Sequence, residues 1–159
     1  MEIDSEYFEE RKEKARALYD AKRNLHNPYL DCEVVLTAKG FHHLQFSAGR
    51  ERSKKEQILK FRLLPLALET IRRAGTLQEY RRLLKPVGPA SARGETLMKH
   101  VEYWGFVAIL GKQEKQVKLR TILRRVGDGQ ITFWSVMPYT KFRKGEQRLG
   151  LEGLEDGDN

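Results

Sequence analysis

Two adjacent histidines, His42 and His43, are the residues of this chain best suited to transfer protons near neutral pH. Histidine changes its charge between about pH 5 and pH 8, so a suitably placed imidazole can take up or release a proton during a reaction. At least one of the two is expected to point outward, because the neighbouring Phe41, Leu44 and Phe46 would be anchored in the core. Alternatively, neither histidine is catalytic: one is packed and hydrogen-bonded, and the other is exposed and has no role.

A second group of candidates lies in the segment 117–126, where basic and apolar residues alternate. Successive side chains of a β-strand point to opposite faces, so this pattern places three bases on one face of a sheet: Lys118, Arg120 and Arg124. The next apolar segment would add either Thr132 and Trp134 or Phe133 and Ser135 beside them. Hydroxyls and aromatic rings next to guanidinium groups bind phosphates and stack on nucleobases. A solvated face of an antiparallel sheet explains the same pattern without any ligand.

Together these side chains meet the chemical needs of RNA cleavage without a metal ion. That reaction requires a base for the 2′-hydroxyl proton, a donor for the leaving oxygen and cations for the charge that develops at phosphorus. His43 or His42 would transfer the protons, and Ser135 or Thr132 would orient the substrate. The phosphate would be bound by the three bases Lys118, Arg120 and Arg124, with Trp134 beside them.

The net charge of +8 is distributed unevenly along the chain. Residues 1–30 carry a net charge of −1 and residues 151–159 carry −4, so the segment between them carries +13. Such a concentration of positive charge attracts polyanions and speeds their association. We therefore expect a nucleic-acid partner, RNA rather than DNA.

Other classes of site have little support in the sequence. The chain has one cysteine, Cys32, and four histidines without CxxC or HxxxH spacing, so neither a disulfide nor a metal site is expected. No Gly-rich phosphate loop or paired-carboxylate motif indicates a cofactor. The first residues are partly acidic rather than an apolar leader, and no apolar segment approaches about 20 residues. We expect a cytoplasmic protein without a membrane segment.

The elements that would position these residues follow from hydrophobic periodicity. Residues 1–27 predict an amphipathic helix that ends before a proline, and 32–37 predict a strand. Helical spacing resumes further along, where Pro65 predicts two separate helices, 54–63 and 65–74.

The C-terminal half has the alternation and turn signals of β-structure. A short helical turn is predicted at 76–80 and a loop at 85–95, which is rich in Pro, Gly, Ser and Ala. Three strands are predicted after it: 99–110, 117–126 and 130–137. The pair Asp128-Gly129 between the last two strands is a strong hairpin signal, so the strands should form an antiparallel meander.

These elements predict a single α+β domain over 1–140. It would consist of the N-terminal helix 1–27 and a core at 32–140, with helices packed on a small antiparallel sheet of about four strands. The last residues, 141–159, are polar, Gly-rich and acidic and predict a disordered tail.

The order of these features resembles that of a known group of nucleases. The resemblance rests on short motifs in four elements: Val34-Val35-Leu36-Thr37 in a strand, Gly40-x-x-His43 after it, Lys60-x-Arg62-Leu63-Leu64 in a helix, and Val117-Lys118-Leu119 with Phe133-Trp134-Ser135-Val136 in the meander. Over about 32–138 the chain looks like the phage and mobile-element nucleases of the barnase/EndoU/colicin/RelE-like superfold.

The resemblance implies a metal-independent endoribonuclease of toxin or effector type, which cleaves RNA by 2′-hydroxyl transesterification and needs no cofactor. It also implies helices packed on a four-stranded antiparallel sheet. Matched position by position, it places the site at His43, at Arg62 on the helix, at Lys118 or Arg120, and at Ser135.

Two other functions fit the same sequence. A non-catalytic RNA- or DNA-binding module explains the charge equally well and needs no histidine. An interaction protein would instead present its basic face to an acidic protein, such as an inhibitor that masks the site. The acidic residues at 152–158 could do this weakly in cis.

Overall fold

The computed structural model describes residues 3–111 and 116–139. The described chain forms three helices and eight strands, which confirms the α+β class. The helices are α1 (Ser5–Lys22), α2 (Ala38–Gln45) and α3 (Lys54–Arg73). The strands are β1 (Asn24–Asn27), β2 (Cys32–Val35), β3 (Phe46–Ser47), β4 (Arg50–Glu51), β5 (Glu79–Val87), β6 (Leu97–Leu110), β7 (Val117–Val126) and β8 (Thr132–Pro138).

Two further expectations concern a disordered tail and a membrane segment. The predicted disordered tail at 141–159 lies outside the described residues. A search of the described helices finds none with the length and apolar character needed to cross a membrane.

The predicted sheet of about four antiparallel strands is wrong in size and in strand direction. Six strands form one mixed sheet in the order β1-β2-β8-β7-β6-β5, and β3 and β4 form a separate two-stranded sheet. The large sheet is antiparallel except where β2 and β8 pair in parallel, at Val35 and Thr132. The unpredicted strands β1 and β5 contain few of the β-branched residues that signal a strand in sequence.

The N-terminal helix is shorter than the predicted 1–27. It begins after Asp4, whose side chain accepts a hydrogen bond from the first turn, and it ends at Lys22 before Arg23, which has a φ of +52°. Asn24–Asn27 then pair with β2 as an antiparallel strand. Pairing with the neighbouring strand β2 therefore overrides the helical spacing that continues through these residues.

The predicted break at Pro65 is also wrong, because α3 is a single helix from Lys54 to Arg73. Pro65 lies on the exposed side of the helix, and Leu64 and Leu68 beside it are buried. A proline inside a helix costs about 3 kcal/mol. Burial of a leucine side chain contributes about 1.5–3 kcal/mol, so the packing on both sides of Pro65 is large enough to offset that cost.

The segment after α3 differs from the prediction as well. Strand β5, which pairs along its whole length with β6, takes the end of the turn predicted at 76–80 and the first three residues of the loop predicted at 85–95. The connecting loop is confined to 88–96. Side chains of β5 alternate between half-buried and exposed positions, but basic residues occupy both sides, which conceals the alternation in the sequence.

The three C-terminal strands are confirmed to within two residues at each end, and they form the predicted meander. The hairpin turn closes where the amide of Gly129 donates to the carbonyl oxygen of Val126 at 3.0 Å. Leu119 and Leu123 of β7 join the main core, whereas Ile122 faces the other side of the sheet. The alternation predicted for this strand is therefore confirmed.

The sheet has a helix side and an open face. Residues from all three helices join the main core on the helix side, together with Phe106 and Phe133 from the strands. The opposite side, which we call the open face, carries a second, smaller cluster. Its buried members all come from strands: Val101, Tyr103, Ile122 and Trp134.

Candidate active site

A β-bulge in β8 organises the candidate site. Ile122 of β7 lies opposite Ser135, but the next residue, Leu123, lies opposite Phe133, so Trp134 is an extra residue in β8. Phe133 packs in the main core, whereas Trp134 joins the cluster on the open face. Bulges reorient side chains locally and are common beside active sites.

Helix α2 lies against the edge of β8 at this bulge. Strand β2 pairs with β8 only at Val35, and the chain then turns into α2, whose first turn is capped by Thr37. A Cβ atom at Gly40 would lie 2.5 Å from the carbonyl oxygen of Phe133 and 2.7 Å from the hydroxyl of Tyr19. Only glycine fits this approach, so Gly40 sets the position of α2 against β8.

His43 of α2 is fixed by the bulge residue. Its Nδ1 lies 3.1 Å from the carbonyl oxygen of Trp134, and the two rings stack with centroids 4.4 Å apart. A carbonyl oxygen only accepts hydrogen bonds, so Nδ1 carries the proton. In the neutral imidazole, Nε2 is then the nitrogen that accepts a proton.

Two further bases lie beside His43, of which Lys60 reaches β8 and Arg52 reaches the backbone of α2. Lys60 of α3 donates from Nζ to the carbonyl oxygen of Val136 at 2.7 Å and to the hydroxyl of Ser135 at 3.4 Å. Arg52 donates from Nε to the carbonyl oxygen of His43 at 3.1 Å. We call the cations Arg52 and Lys60, together with the imidazole of His43, the cation cluster. Their exposed fractions are only 8%, 7% and 4%.

The side chains of His43, Arg52 and Lys60 donate hydrogen bonds to backbone carbonyls, and Lys60 donates also to one hydroxyl. Glu56 adds an ion pair to Arg52 at 3.9 Å, and the side chain of Gln57 supports the turn by donating to the carbonyl oxygen of Arg52 at 2.7 Å. Neutral acceptors fix the direction of a base without adding negative charge. An anion that enters such a site meets donors that are already oriented, as electrostatic catalysis requires.

On the open face, Trp134 is surrounded by cations. The guanidinium carbon of Arg124 lies 4.5 Å from the indole centroid, and Nζ of Lys39 lies 5.5 Å from it. Burial lowers the pKa of Arg124 from its ordinary value. Both bases therefore lie beside the same indole that stacks on His43, which links the open face to the cation cluster.

A row of polar side chains extends from this indole across the open face. Strand register places Arg81, Tyr103, Arg124 and Thr132 opposite one another on β5, β6, β7 and β8. The hydroxyl of Thr132 donates to the carbonyl oxygen of Arg124 at 3.2 Å. Nζ of Lys85 lies 5.8 Å from the ring centroid of Tyr103.

The open face as a whole is basic. In strands β5 to β8 it carries one carboxylate, Glu79, and six bases: Arg81, Lys85, Lys99, Lys118, Arg120 and Arg124. Glu79 forms an ion pair with Arg120 at 3.0 Å. Positive charge therefore exceeds negative charge across this face, and aromatic rings lie under several of the bases.

The structure brings five of the nine residues proposed from the sequence to the bulge or its edge: His43, Thr132, Trp134, Ser135 and Arg124. Arg120 and Lys118 lie further along β7, where both contact the ring of Tyr139. Arg120 is almost fully buried and is neutralised by Glu79.

The remaining two residues lie apart from the bulge. His42 is exposed on α2 and stacks on Phe46 with ring centroids 4.4 Å apart. Arg62 is exposed on α3 and lines a groove against α1 together with Arg11 and Lys14. The proposed pairing of Arg62 with His43 in one site is therefore not present in this geometry.

Sequence reasoning missed three bases near the bulge: Lys39, Arg52 and Lys60. The position of Lys60 could have been recognised from the sequence. It lies between Gln57 and Leu64 at the helical spacing of the buried side of α3. A lysine on the buried side of a helix is rare unless it is paired. Arg52 carried no such signal, since it lies in a segment rich in charged residues.

The chain matches no protein-family model, and no match was found among curated proteins or solved structures. Its function is therefore argued from its own residues. Among the described residues no three or more His, Cys, Asp or Glu side chains are grouped so that they could hold a metal ion.

Proposed function

We propose that this protein is a metal-independent endoribonuclease whose active site is the cation cluster at the β8 bulge. One observation carries the proposal. His43 is bound through Nδ1 to the backbone of β8, and the buried base Lys60 is bound to the same strand two residues further along. The buried base Arg52 is bound to the backbone carbonyl of His43 itself. A proton-transfer group and two oriented cations are the parts that RNA transesterification needs.

Each residue has a chemical role in this reaction. Nε2 of His43 removes the proton from a 2′-hydroxyl, and the resulting oxygen attacks the adjacent phosphorus. The bond from phosphorus to the 5′-oxygen breaks, which leaves a 2′,3′-cyclic phosphate, and the departing 5′-oxygen takes up a proton from water to become a hydroxyl. Lys60 and Arg52 stabilise the negative charge that develops on the phosphate oxygens. Ser135 keeps Lys60 in position through its hydroxyl.

The open face supplies the binding surface for the rest of the RNA. Arg124 and Lys39 flank Trp134 at the edge of the site, and the row that includes Arg81 and Tyr103 leads away from it. A sheet face suits a single strand lying across it, because reading a DNA major groove requires an inserted helix or ribbon. RNA is favoured over DNA because the proposed reaction consumes a 2′-hydroxyl.

The proposal is tested with a labelled single-stranded RNA incubated in excess EDTA. We expect cleavage products that end in 2′,3′-cyclic phosphate. The matched control is the same oligonucleotide with one 2′-deoxy nucleotide at the cleaved position, which should stay intact. Cleavage of the deoxy substrate, or activity that EDTA abolishes, would contradict the proposed mechanism.

A second candidate is a non-catalytic RNA-binding module. It is favoured by the burial of His43 and Lys60, which leaves little of either side chain at the surface. In this case RNA binds in a salt-dependent way and is recovered whole, with and without added metal. Binding that survives replacement of His43 while no cleavage is detected in the wild type would select this module over the nuclease.

We propose the cytoplasm as the place of action, where RNA is abundant and the single free cysteine, Cys32, stays reduced. An origin in a phage or mobile element and a role as a toxin remain predictions of the resemblance. Detection of RNA fragmentation in cells that express the protein, absent with a His43→Ala variant, would support the effector role.

A further inference from the structure

The hairpin of β5 and β6 has a second surface, on the helix side of the sheet and outside the candidate active site. Residues 97–100 of β6 are all exposed, as are the β5 side chains that point to the helix side. Register places Leu84 opposite His100 and Pro86 opposite Met98 on this side. We call this part of the hairpin, residues 80–86 and 97–102, the arm.

A groove of about 680 Å³ lies between the arm and the turn at 126–129. Its floor is a bonded network rather than loose side chains. Glu102 accepts a hydrogen bond from the hydroxyl of Tyr80 at 2.6 Å and from Nε of Arg125 at 3.0 Å, and Arg125 lies over the ring of Trp104. The groove therefore has a fixed shape at its base.

The residues around the groove have the composition of a protein-binding surface. Leu84, Met98 and Tyr80 are 55%, 46% and 44% exposed, which is unusual for large apolar side chains lying close together. Tyrosine, arginine and methionine are enriched in protein interfaces, and tyrosine and arginine supply most of their strongest contacts. Exposed aliphatic side chains add nothing to phosphate binding, so an RNA ligand explains this surface poorly.

The charge of the groove indicates what kind of protein would bind. Four bases line it: Arg82, Lys99, His100 and Arg125. Within the described part of the chain the side chains of Arg82, Lys99 and His100 form no hydrogen bond or ion pair, although Glu102 attracts Arg82 electrostatically. Strand register places Lys99 on the open-face side of β6. Some exposed bases elsewhere have partners, such as Arg73 with Glu69 at 2.8 Å, whereas others, such as Arg62 and Arg72, have none among the described residues. Of the two acids that line the groove, Glu102 is already paired with Arg125.

We propose that the arm binds an acidic segment of another protein. Carboxylates of the segment would pair with Arg82 and His100, and an apolar side chain would pack against Leu84 and Met98. The segment can enter in an extended form from the side of β5, because β5 is the outermost strand of the sheet. A second copy of this chain fits poorly, since its own arm would bring Arg82 and Lys99 against like charges.

The test uses the full chain as bait for a phage-displayed library of random short peptides, with counter-selection on an Arg82→Glu/Leu84→Asp variant. We expect enrichment of peptides that combine several acids with an aliphatic or aromatic residue. Synthetic versions of the enriched peptides should bind the wild type at least about tenfold more tightly than they bind the single variants Arg82→Glu and Leu84→Asp. The matched control is Arg81→Gln, which alters the neighbouring residue on the open face and should leave peptide affinity unchanged.

The outcomes separate this proposal from its rivals and from the nuclease proposal. Enriched peptides without excess acid, or with equal affinity for the variants, overturn it. A wild-type dimer in sedimentation that Leu84→Asp dissociates identifies a second copy as the occupant and also overturns it. RNA affinity that falls with Arg82→Glu but not with Arg81→Gln assigns the groove to RNA instead. None of these results depends on whether the protein cleaves RNA, and circular dichroism verifies that the surface variants fold.

Discussion

The bases beside β8 and the bases along the arm are held in different ways. Beside β8, helix α2 fills the edge that β2 leaves, and His43, Arg52 and Lys60 are buried and directed by backbone carbonyls. Along the arm, Arg82 and Lys99 are exposed and form no ion pair within the described residues. A base that is fixed by the backbone suits chemistry, because its donors are oriented before the substrate arrives. An exposed base suits recognition, because it can adjust to its partner.

The largest expected effect tests whether the buried group beside β8 is catalytic, and it concerns His43. The change His43→Ala should lower the rate of RNA cleavage by about 10²–10⁴-fold, because it removes the proton-transfer group. His42→Ala, at the adjacent exposed position, should leave the rate within about threefold of the wild type. Single-turnover cleavage of one RNA measures both. Equal losses in the two variants would show that α2 matters only as a structural element.

The next effect tests whether the buried lysine acts on the reaction. Lys60→Met keeps the length of the side chain and removes its charge, and it should slow cleavage by about 10²–10³-fold with little change in RNA affinity. Arg62→Met, two residues further along α3 on the exposed side, is the control. A larger loss for Arg62→Met would favour the site implied by the resemblance over the cation cluster.

The position of α2 is tested at Gly40. A methyl group there would meet the carbonyl oxygen of Phe133, so Gly40→Ala should lower the free energy of unfolding by about 1–3 kcal/mol. It should also slow cleavage by about 10²-fold, because His43 moves with the helix. Gly75→Ala, where an added Cβ meets nothing within 4 Å, should change neither. Urea unfolding and cleavage assays on both variants measure these effects.

A smaller effect distinguishes the open face from the helix side. Arg81→Gln should make the dependence of log K for single-stranded RNA on log salt shallower by about 0.7, the value for one lost phosphate contact. Arg82→Gln, on the opposite side of the same strand, should leave that dependence unchanged. Fluorescence polarisation at several salt concentrations gives both slopes. Identical slopes for the two variants would contradict RNA binding along the open face.

The smallest expected effect is a pH dependence in the arm. Burial alone would raise the pKa of Glu102, but hydrogen bonds from Tyr80 and Arg125 outweigh it and lower that pKa below the ordinary carboxyl value. Glu102 therefore stabilises the fold above its unfolded pKa, and this contribution is lost as the pH falls through the lowered, folded-state pKa. The stability difference between wild type and Glu102→Gln should be present at pH 7 and shrink in acid. A stability difference that grows in acid would contradict the lowered pKa of Glu102.

The sequence predicted well the parts of the fold that local patterns control. The strands near 99–110, 117–126 and 130–137 follow from alternation and from the turn at Asp128-Gly129, and the faces of β7 follow from the same alternation. His43, Trp134 and Arg124 were proposed as site residues from residue type and spacing. The structure brings these three together, although the role of each remains a prediction.

Other features were decided only by the tertiary structure. The parallel pairing of β2 with β8, the bulge at Trp134 and the passage of α3 through Pro65 all depend on contacts between distant segments. Lys60 enters the site because α3 packs against β8, which no spacing within α3 reveals, and Arg52, which precedes α3, enters it by bonding to the backbone of His43. Hydrophobic periodicity reports which side of one element is buried, whereas a site depends on which elements meet, and that is settled by packing over the whole sheet.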